Sequence, residues 1–422
     1  MARRYEAQGG DYEDNGENKN KAKKGEPEKK DDKLIKYQYR AVSNTNFERL
    51  PAPVSVERSS FPYNRWSFVN VDKILNTNEI RKSETASPLP NESRQFDDFQ
   101  LEHNGKTLDL AAFLAESESD GLLVLQNGKV LYETYLNDNI KDSKHILMSI
   151  TKSVVGLLVG ILQSQGKLNV DDLISKHIPE VSKSFYHNVT IRQAIDMRSG
   201  AKSLDASHEY RVASGSVPLQ GGEKYTNLHD YISNLDPERM EDDRFEYVSL
   251  NTDVIGWLVE KVGGKTLAEM ISELLWQPMG AESDALMATD TAGNARAAGG
   301  MCATLRDLAR IGQLIVDDGR GIVPAEWIND IVHNGDKDAF ARGSWATGFR
   351  RHFAGCAYRS YCLADSSTET VMGLGIFGQM LLVDKKNGIV VAKTGSQVEA
   401  TDRAKTGLTV AAFKEFQRIL AK

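Results

Sequence analysis

Two β-rich stretches, one early in the chain and one late, restrict its fold more than any other feature. The first is Gly121-Leu-Leu-Val-Leu-Gln-Asn127-Gly128-Lys-Val-Leu-Tyr-Glu-Thr-Tyr-Leu136, in which two apolar runs flank an Asn-Gly pair. Asn-Gly accepts the positive φ angles of a two-residue hairpin turn, so the spacing predicts an antiparallel pair. The second is Met380-Leu-Leu-Val383, a polar turn ending in Asn387-Gly388, then Ile-Val-Val-Ala392. Between them the apolar period changes to that of helices. Ser153 to Gln165 is apolar and stops before Gly166. Asp253 to Lys261 and Leu267 to Trp276 are separated by Gly263-Gly264, and Leu305 to Val316 follows Thr304, a suitable N-cap. Leu408 to Leu420, with Val410, Phe413, Phe416 and Ile419, reads as a closing amphipathic helix. Strands at both ends with helices between predict an α+β class, with an antiparallel sheet built from both chain ends and a mainly helical lobe beside it. There is no internal repeat.

The 422 residues suffice for a large core. Residues 1–33 hold nine Lys/Arg and nine Asp/Glu and almost no large apolar side chain, which predicts a disordered charged tail. Residues 34–105 read as an extended N-terminal wrap anchored by Phe61, Tyr63, Trp66 and Phe68. Residues 106–422 form the domain, with the sheet from 106–145 and 340–422 and the helical lobe from 146–339. A net charge of −7 argues against nucleic acid as a partner. There is no apolar signal core and no apolar window long enough for a membrane span, so a cytoplasmic protein is expected. Cys302, Cys356 and Cys362 have no metal-ligand spacing, and the eight histidines are scattered, so neither metal nor cofactor is expected. A homodimer is left open.

Ser149-Ile150-Thr151-Lys152 opens the apolar helix. Three-residue spacing at a helix start puts both side chains on one face, one turn apart. A serine hydroxyl needs an adjacent base to become a nucleophile, and a lysine can serve only where burial or positive charge lowers its pKa. The helix start also points free backbone N–H groups toward whatever Ser149 attacks. The tetrapeptide alone reads more readily as a helix-capping serine and a solvated first-turn lysine. Its position, about a dozen residues after the hairpin and at the head of the most apolar helix, favours chemistry.

The run His145-Ile-Leu-Met-Ser149-Ile-Thr-Lys152-Ser-Val-Val-Gly-Leu-Leu resembles the nucleophile segment of β-lactamase-related serine hydrolases, nearest the 6-aminohexanoate-dimer hydrolases and family VIII-type carboxylesterases. Phe245-Glu-Tyr247-Val-Ser249-Leu-Asn-Thr-Asp-Val-Ile-Gly-Trp257 resembles the tyrosine motif of that family. Leu275-Trp-Gln-Pro-Met-Gly-Ala281, Gly299-Gly300-Met-Cys-Ala-Thr-Leu-Arg-Asp-Leu-Ala309, Tyr358-Arg359-Ser360-Tyr361 and Gly375-Ile376-Phe377-Gly378-Gln379 resemble later segments. The similarity runs from about Arg65 to the C-terminus.

The resemblance implies a β-lactamase/penicillin-binding-like fold with its site in the cleft between sheet and helical lobe. It implies that Tyr247 faces Ser149 and Lys152, where a Tyr/Lys couple can take the serine proton and return it to the leaving group. It implies an oxyanion hole from the backbone N–H groups of Ser149 and Ile376, and substrate contacts from Tyr210 and Phe377. Class C β-lactamases carry Tyr-x-Asn, whereas this chain has Tyr247-Val248-Ser249, as in the esterase and amidase branch. Close relatives have His where this chain has Phe377, which removes a polar group beside the substrate.

Two motifs mislead. Lys393-Thr394-Gly395 spells the lysine motif of penicillin-recognising enzymes, yet only a polar stretch and the last helix follow it. By position the motif strand is Val371 to Gln379. Gly373-Leu-Gly375-Ile-Phe-Gly378 spells the dinucleotide fingerprint but runs into a strand instead of a helix. The expected activity is therefore cofactor-free cleavage of small esters or linear amides through an acyl-enzyme on Ser149. The alternatives are a D-amino-acid peptidase of the same superfamily and a binding protein that keeps the fold without turnover.

Overall fold

The Asn127-Gly128 pair has φ angles of 49° and 77° and closes the expected hairpin. A computed structural model of the protein describes residues 58–235 and 242–421, all within one compact unit, Asn46–Lys422. The charged segment 1–33 and the first part of the wrap, 34–57, lie outside the described residues. The strands are β1 (Thr77–Ile80), β2 (Leu101–His103), β3 (Lys106–Leu108), β4 (Ser119–Gln126), β5 (Lys129–Tyr135), β6 (His145–Ile146), β7 (Ala285–Ala288), β8 (Met301–Ala303), β9 (Cys356–Arg359), β10 (Cys362–Asp365), β11 (Thr370–Gly375), β12 (Gln379–Asp384) and β13 (Ile389–Gly395).

Seven of them form one sheet in the order β5-β4-β13-β12-β11-β10-β9, with every neighbouring pair antiparallel. The late hairpin β12–β13 slots beside the early hairpin β4–β5, so the two ends of the chain meet at the middle of the sheet. A single rung crosses it: Val124, Val391, Leu382, Met372, Leu363 and Tyr358 are successive register partners. Cross-strand partners share a face, so this apolar rung presents one surface for the helices to cover.

The helix Ile150–Ser164 lies on the opposite face, where a Cβ on Gly373 would fall 3.3 Å from Ile150 Cγ2 and from Ser153 Oγ, and it is buried from Ile150 to Leu162. Two glycines let it approach closely. A Cβ on Gly156 would fall 2.2 Å from the Ser360 carbonyl oxygen, and one on Gly160 would fall 2.5 Å from the Trp327 ring. The Leu250–Gly263 helix, the Leu305–Val316 helix with its Thr304 side-chain cap, and the closing Arg403–Leu420 helix complete the layers. The segment expected as one helix over Leu267 to Trp276 is helical throughout, its α-helical start, Leu267–Ile271, running on into a wider π-helical stretch, Ser272–Trp276.

A second sheet, β1-β7-β8-β6, is absent from the sequence reading. It draws the latter part of the wrap into the fold, because β1 pairs with β7. Of the four aromatic anchors, Phe68 is buried, whereas Phe61 is 40% exposed and lies under the Arg65 guanidinium. All three cysteines are buried and free. No described helix is long and apolar enough to cross a membrane.

Candidate active site

The small sheet leads directly to Ser149. Its strand β6 ends at Ile146, and the Leu147 N–H donates to the Met301 carbonyl at 2.8 Å. Met148 then takes φ = 48°, a left-handed conformation that a side chain adopts only under constraint. This sharp turn delivers Ser149, half-buried, to the first position before the Ile150–Ser164 helix. The amides of that first turn are not free as the sequence suggests. Ile150, Thr151 and Lys152 donate to the carbonyls of Leu147, Met148 and Ser149 in tight turns, so they are not available to a bound group.

Lys152 lies one turn on, 1% exposed, and its Nζ donates to Ser149 Oγ at 3.0 Å and to the Ala298 carbonyl. Its stem is buried with it, so the ammonium is held at the serine and kept from bulk water. Tyr247 comes from the extended stretch before the Leu250–Gly263 helix, which is pinned by Glu246 N–H on the Met197 carbonyl and by Ser249, whose N–H and Oγ both donate to Asp205. The Tyr247 ring lies over the Lys152 ammonium, 5.0 Å from ring centroid to Nζ. The other face of the site is aromatic. Trp345 stacks on Tyr247 with centroids 4.5 Å apart and planes 22° apart, and Tyr358 meets Tyr247 edge-on at 6.4 Å.

Ser149, Tyr247, Trp345, Tyr358, Tyr361, Leu363, Met372 and Leu374 line one narrow recess, partly open to solvent. Burial pushes the phenols of Tyr358 and Tyr361 well above their ordinary range. The end of β11 is pressed against the turn before the serine. A Cβ on Gly375 would fall 2.7 Å from the Leu147 carbonyl oxygen and 3.0 Å from Met148 Cβ. Ile376, the next residue, is 44% exposed beside this contact. Among the described residues no group of three or more His, Cys, Asp or Glu is arranged to hold a metal ion.

A family model described as Beta-lactamase matches residues 110–413, more than half of the chain. The chain belongs to the β-lactamase family. The 6-aminohexanoate-dimer hydrolase of Paenarthrobacter ureafaciens is 28% identical over 85% of this chain and 92% of its own length. A solved structure from Bacillus anthracis, assigned as a 6-aminohexanoate-dimer hydrolase, superimposes with a TM-score of 0.78 at 22% identity, covering 86% of this chain and 96% of that one. A family VIII carboxylesterase superimposes with a TM-score of 0.53 at 13% identity over 72% of this chain and 95% of that one. The relatives are thus hydrolases of amidase and esterase type on a β-lactamase/penicillin-binding-like α+β fold.

Two residues expected beside the substrate do not line the recess of this β-lactamase-family chain. Tyr210 is 8% exposed, and its hydroxyl donates to Asp253 Oδ2 at 2.7 Å. Phe377 has φ = 60° and is buried in a separate apolar cluster, where its ring meets Phe68 at 5.2 Å. Lys393 is fully buried on β13, with Nζ 3.3 Å from the carbonyls of Ser117 and Gly378, away from the recess. Burial lowers it to about 8. The glycine run 373–378 joins β11 to β12 through one short turn, as a sheet connection would.

Trp345 and Leu363 are the lining residues that sequence reading missed. Tyr247, the partner of Trp345, is remote in sequence, and no local motif marks such a contact. Tyr358 and Tyr361 were part of the resemblance, but without a role. The run spans the turn from β9, which ends at Arg359, to β10, which begins at Cys362.

Proposed function

We propose that this protein is a serine hydrolase that cleaves small esters or linear amides through an acyl-enzyme on Ser149. The observation that carries the reading is the 3.0 Å bond between Lys152 Nζ and Ser149 Oγ beneath the Tyr247 ring, at the wall of an aromatic recess. In this reading Ser149 Oγ attacks the substrate carbonyl carbon while its proton passes to the Tyr247/Lys152 couple. The C–O or C–N bond to the leaving group then breaks, and the couple returns the proton to the departing alkoxide or amine. Water attacks the ester formed on Ser149, gives up a proton to the same couple and releases the acid, with the serine reprotonated. The N–H groups of Ser149 and Ile376 are the proposed oxyanion donors, a choice supported by the close approach of Gly375 to the turn before Ser149.

The lining mixes a serine hydroxyl and three phenols with Trp345, Leu363, Met372 and Leu374 and includes no charged side chain, which favours an uncharged acyl group, and the names of the relatives favour amides and esters over β-lactams. The test is hydrolysis of p-nitrophenyl acetate and butyrate by the wild type, Ser149→Ala and Tyr247→Phe. Both variants should lose at least about a hundredfold in kcat/KM, roughly 3 kcal/mol of transition-state stabilisation. Equal slow turnover by all three would favour a binding protein that retains the fold.

A further inference from the structure

Behind Lys152 lies a carboxylate to which the mechanism above gives no task. Asp253, on the Leu250–Gly263 helix, is 3% exposed. Its Oδ1 accepts the Ala298 N–H at 2.9 Å and its Oδ2 accepts the Tyr210 hydroxyl at 2.7 Å. The carbonyl of the same Ala298 accepts from Lys152 Nζ, which in turn reaches Ser149 Oγ. Asp253 thus holds Ala298 on its amino side, and Lys152 is held on its carbonyl side. One buried line of hydrogen bonds runs Tyr210, Asp253, Ala298, Lys152, Ser149.

The physical need for such a tie is plain. Ala298 belongs to the connection between β7 and β8, and connections wander unless their backbone groups are bound. A lysine ammonium sits at the end of a flexible four-carbon stem, so it is aimed only as well as its acceptor is fixed. Here the acceptor is fixed twice. The helix packs directly on the connection, since a Cβ on Gly256 would fall 2.5 Å from Ala297 Cβ, and the Asp253 carboxylate adds a charge-assisted bond to the next amide. Space alone would be filled at less cost by an apolar side chain.

We infer that Asp253 is a positioning residue for proton transfer at Ser149: by holding the Ala298 backbone it fixes the carbonyl that aims the Lys152 ammonium at the serine hydroxyl. The inference rests on the reading of Ser149 and Lys152 as the reacting pair. The titratable and charged groups that face Asp253 are Tyr210, Lys152 and Arg296, with Tyr186 and Tyr361 further along the same interior. Burial raises its carboxyl to about 6, against the pull of the Tyr210 and Ala298 bonds and of the two cations. Protonation below that pH weakens the tie to Ala298.

The experiment uses the full chain as wild type, Ser149→Ala, Asp253→Asn, Asp253→Ala and Tyr210→Phe. It reads kcat and KM on p-nitrophenyl butyrate, the rate of fluorophosphonate labelling from pH 5 to 9, and the melting temperature. Asparagine keeps one acceptor for the Ala298 N–H and alanine keeps none. The expected order of kcat is therefore wild type, then Asp253→Asn lower by severalfold, then Asp253→Ala lower by tenfold or more, with KM within about twofold throughout. Wild-type labelling should slow as the pH falls through about 6, and that limb should vanish from both Asp253 variants. A folded Asp253→Ala with wild-type kcat, or one changed only in KM, overturns the inference. If neither Asp253 variant folds, Tyr210→Phe decides: an unaltered kcat together with an unaltered acid limb overturns it. If Ser149→Ala still turns over, the reacting pair itself is misassigned; if it is inert while the Asp253 variants match wild type, only the positioning role fails.

Discussion

Ser149 and Lys152 were legible because a helix converts three-residue spacing into contact, and the structure delivers that contact at 3.0 Å. Asp253 was visible only as part of the tyrosine motif, since its partners Tyr210 and Ala298 lie on two other segments and no local pattern joins them. Its burial has a thermodynamic consequence. A carboxyl raised from 3.8 to about 6 binds its proton more tightly when folded, so stability is greatest below the unfolded value and declines as pH rises through the folded one. The stability of wild type relative to Asp253→Asn should therefore be more favourable at pH 4 than at pH 7.5, by about 2 kcal/mol. Urea unfolding of both proteins at the two pH values measures this; a difference that does not change with pH would mean that Asp253 carries no buried charge.

At the scale of elements, the hairpins and the capped helices followed from local chemistry. Thr304 was read as a cap, and its side chain does accept the Asp307 N–H. The small sheet was not legible because β6 has two residues, β8 three, and β1 and β7 four each, too few for an alternation to stand out. Yet that sheet fixes the turn before Ser149. On the other side of the turn, Gly375 has φ = −130°, a backbone any residue can adopt, so its glycine is required by space alone. Gly375→Ala should push β11 away from Leu147 and Met148. Esterase activity should fall at least about tenfold while the melting curve stays cooperative. Retained activity would remove the end of β11 from the proposed oxyanion hole.

Across the whole molecule, the order strands-helices-strands was enough to place both chain ends in one sheet, because an antiparallel sheet accepts hairpins from anywhere in the chain. The sequence could not say where the lysine of Lys393-Thr394-Gly395 would point. It points inward, near Asp120, Glu118 and Lys405, as a buried ammonium lowered to about 8. Such a base destabilises the folded chain while charged, and the penalty lifts as pH rises from about 8 toward the unfolded value of 10.5. Wild type should gain on Lys393→Met over that interval, by as much as about 3 kcal/mol. Parallel stability curves from pH 7 to 10 would contradict the assignment.

The stacking of Trp345 on Tyr247 bears on how the protein can be watched. Of the five tryptophans, only Trp345 lines the described recess; Trp276 and Trp327 are buried elsewhere in the core. Indole emission responds to the polarity and quenchers around the ring, and here the nearest aromatic ring is the phenol placed over the Lys152 ammonium. On the proposed reading, an acyl group entering the recess would exchange water for carbon on the face of a fluorophore. The chain would then carry its own dye, and a change in its emission on mixing with an ester would follow the filling of the recess without a chromogenic substrate.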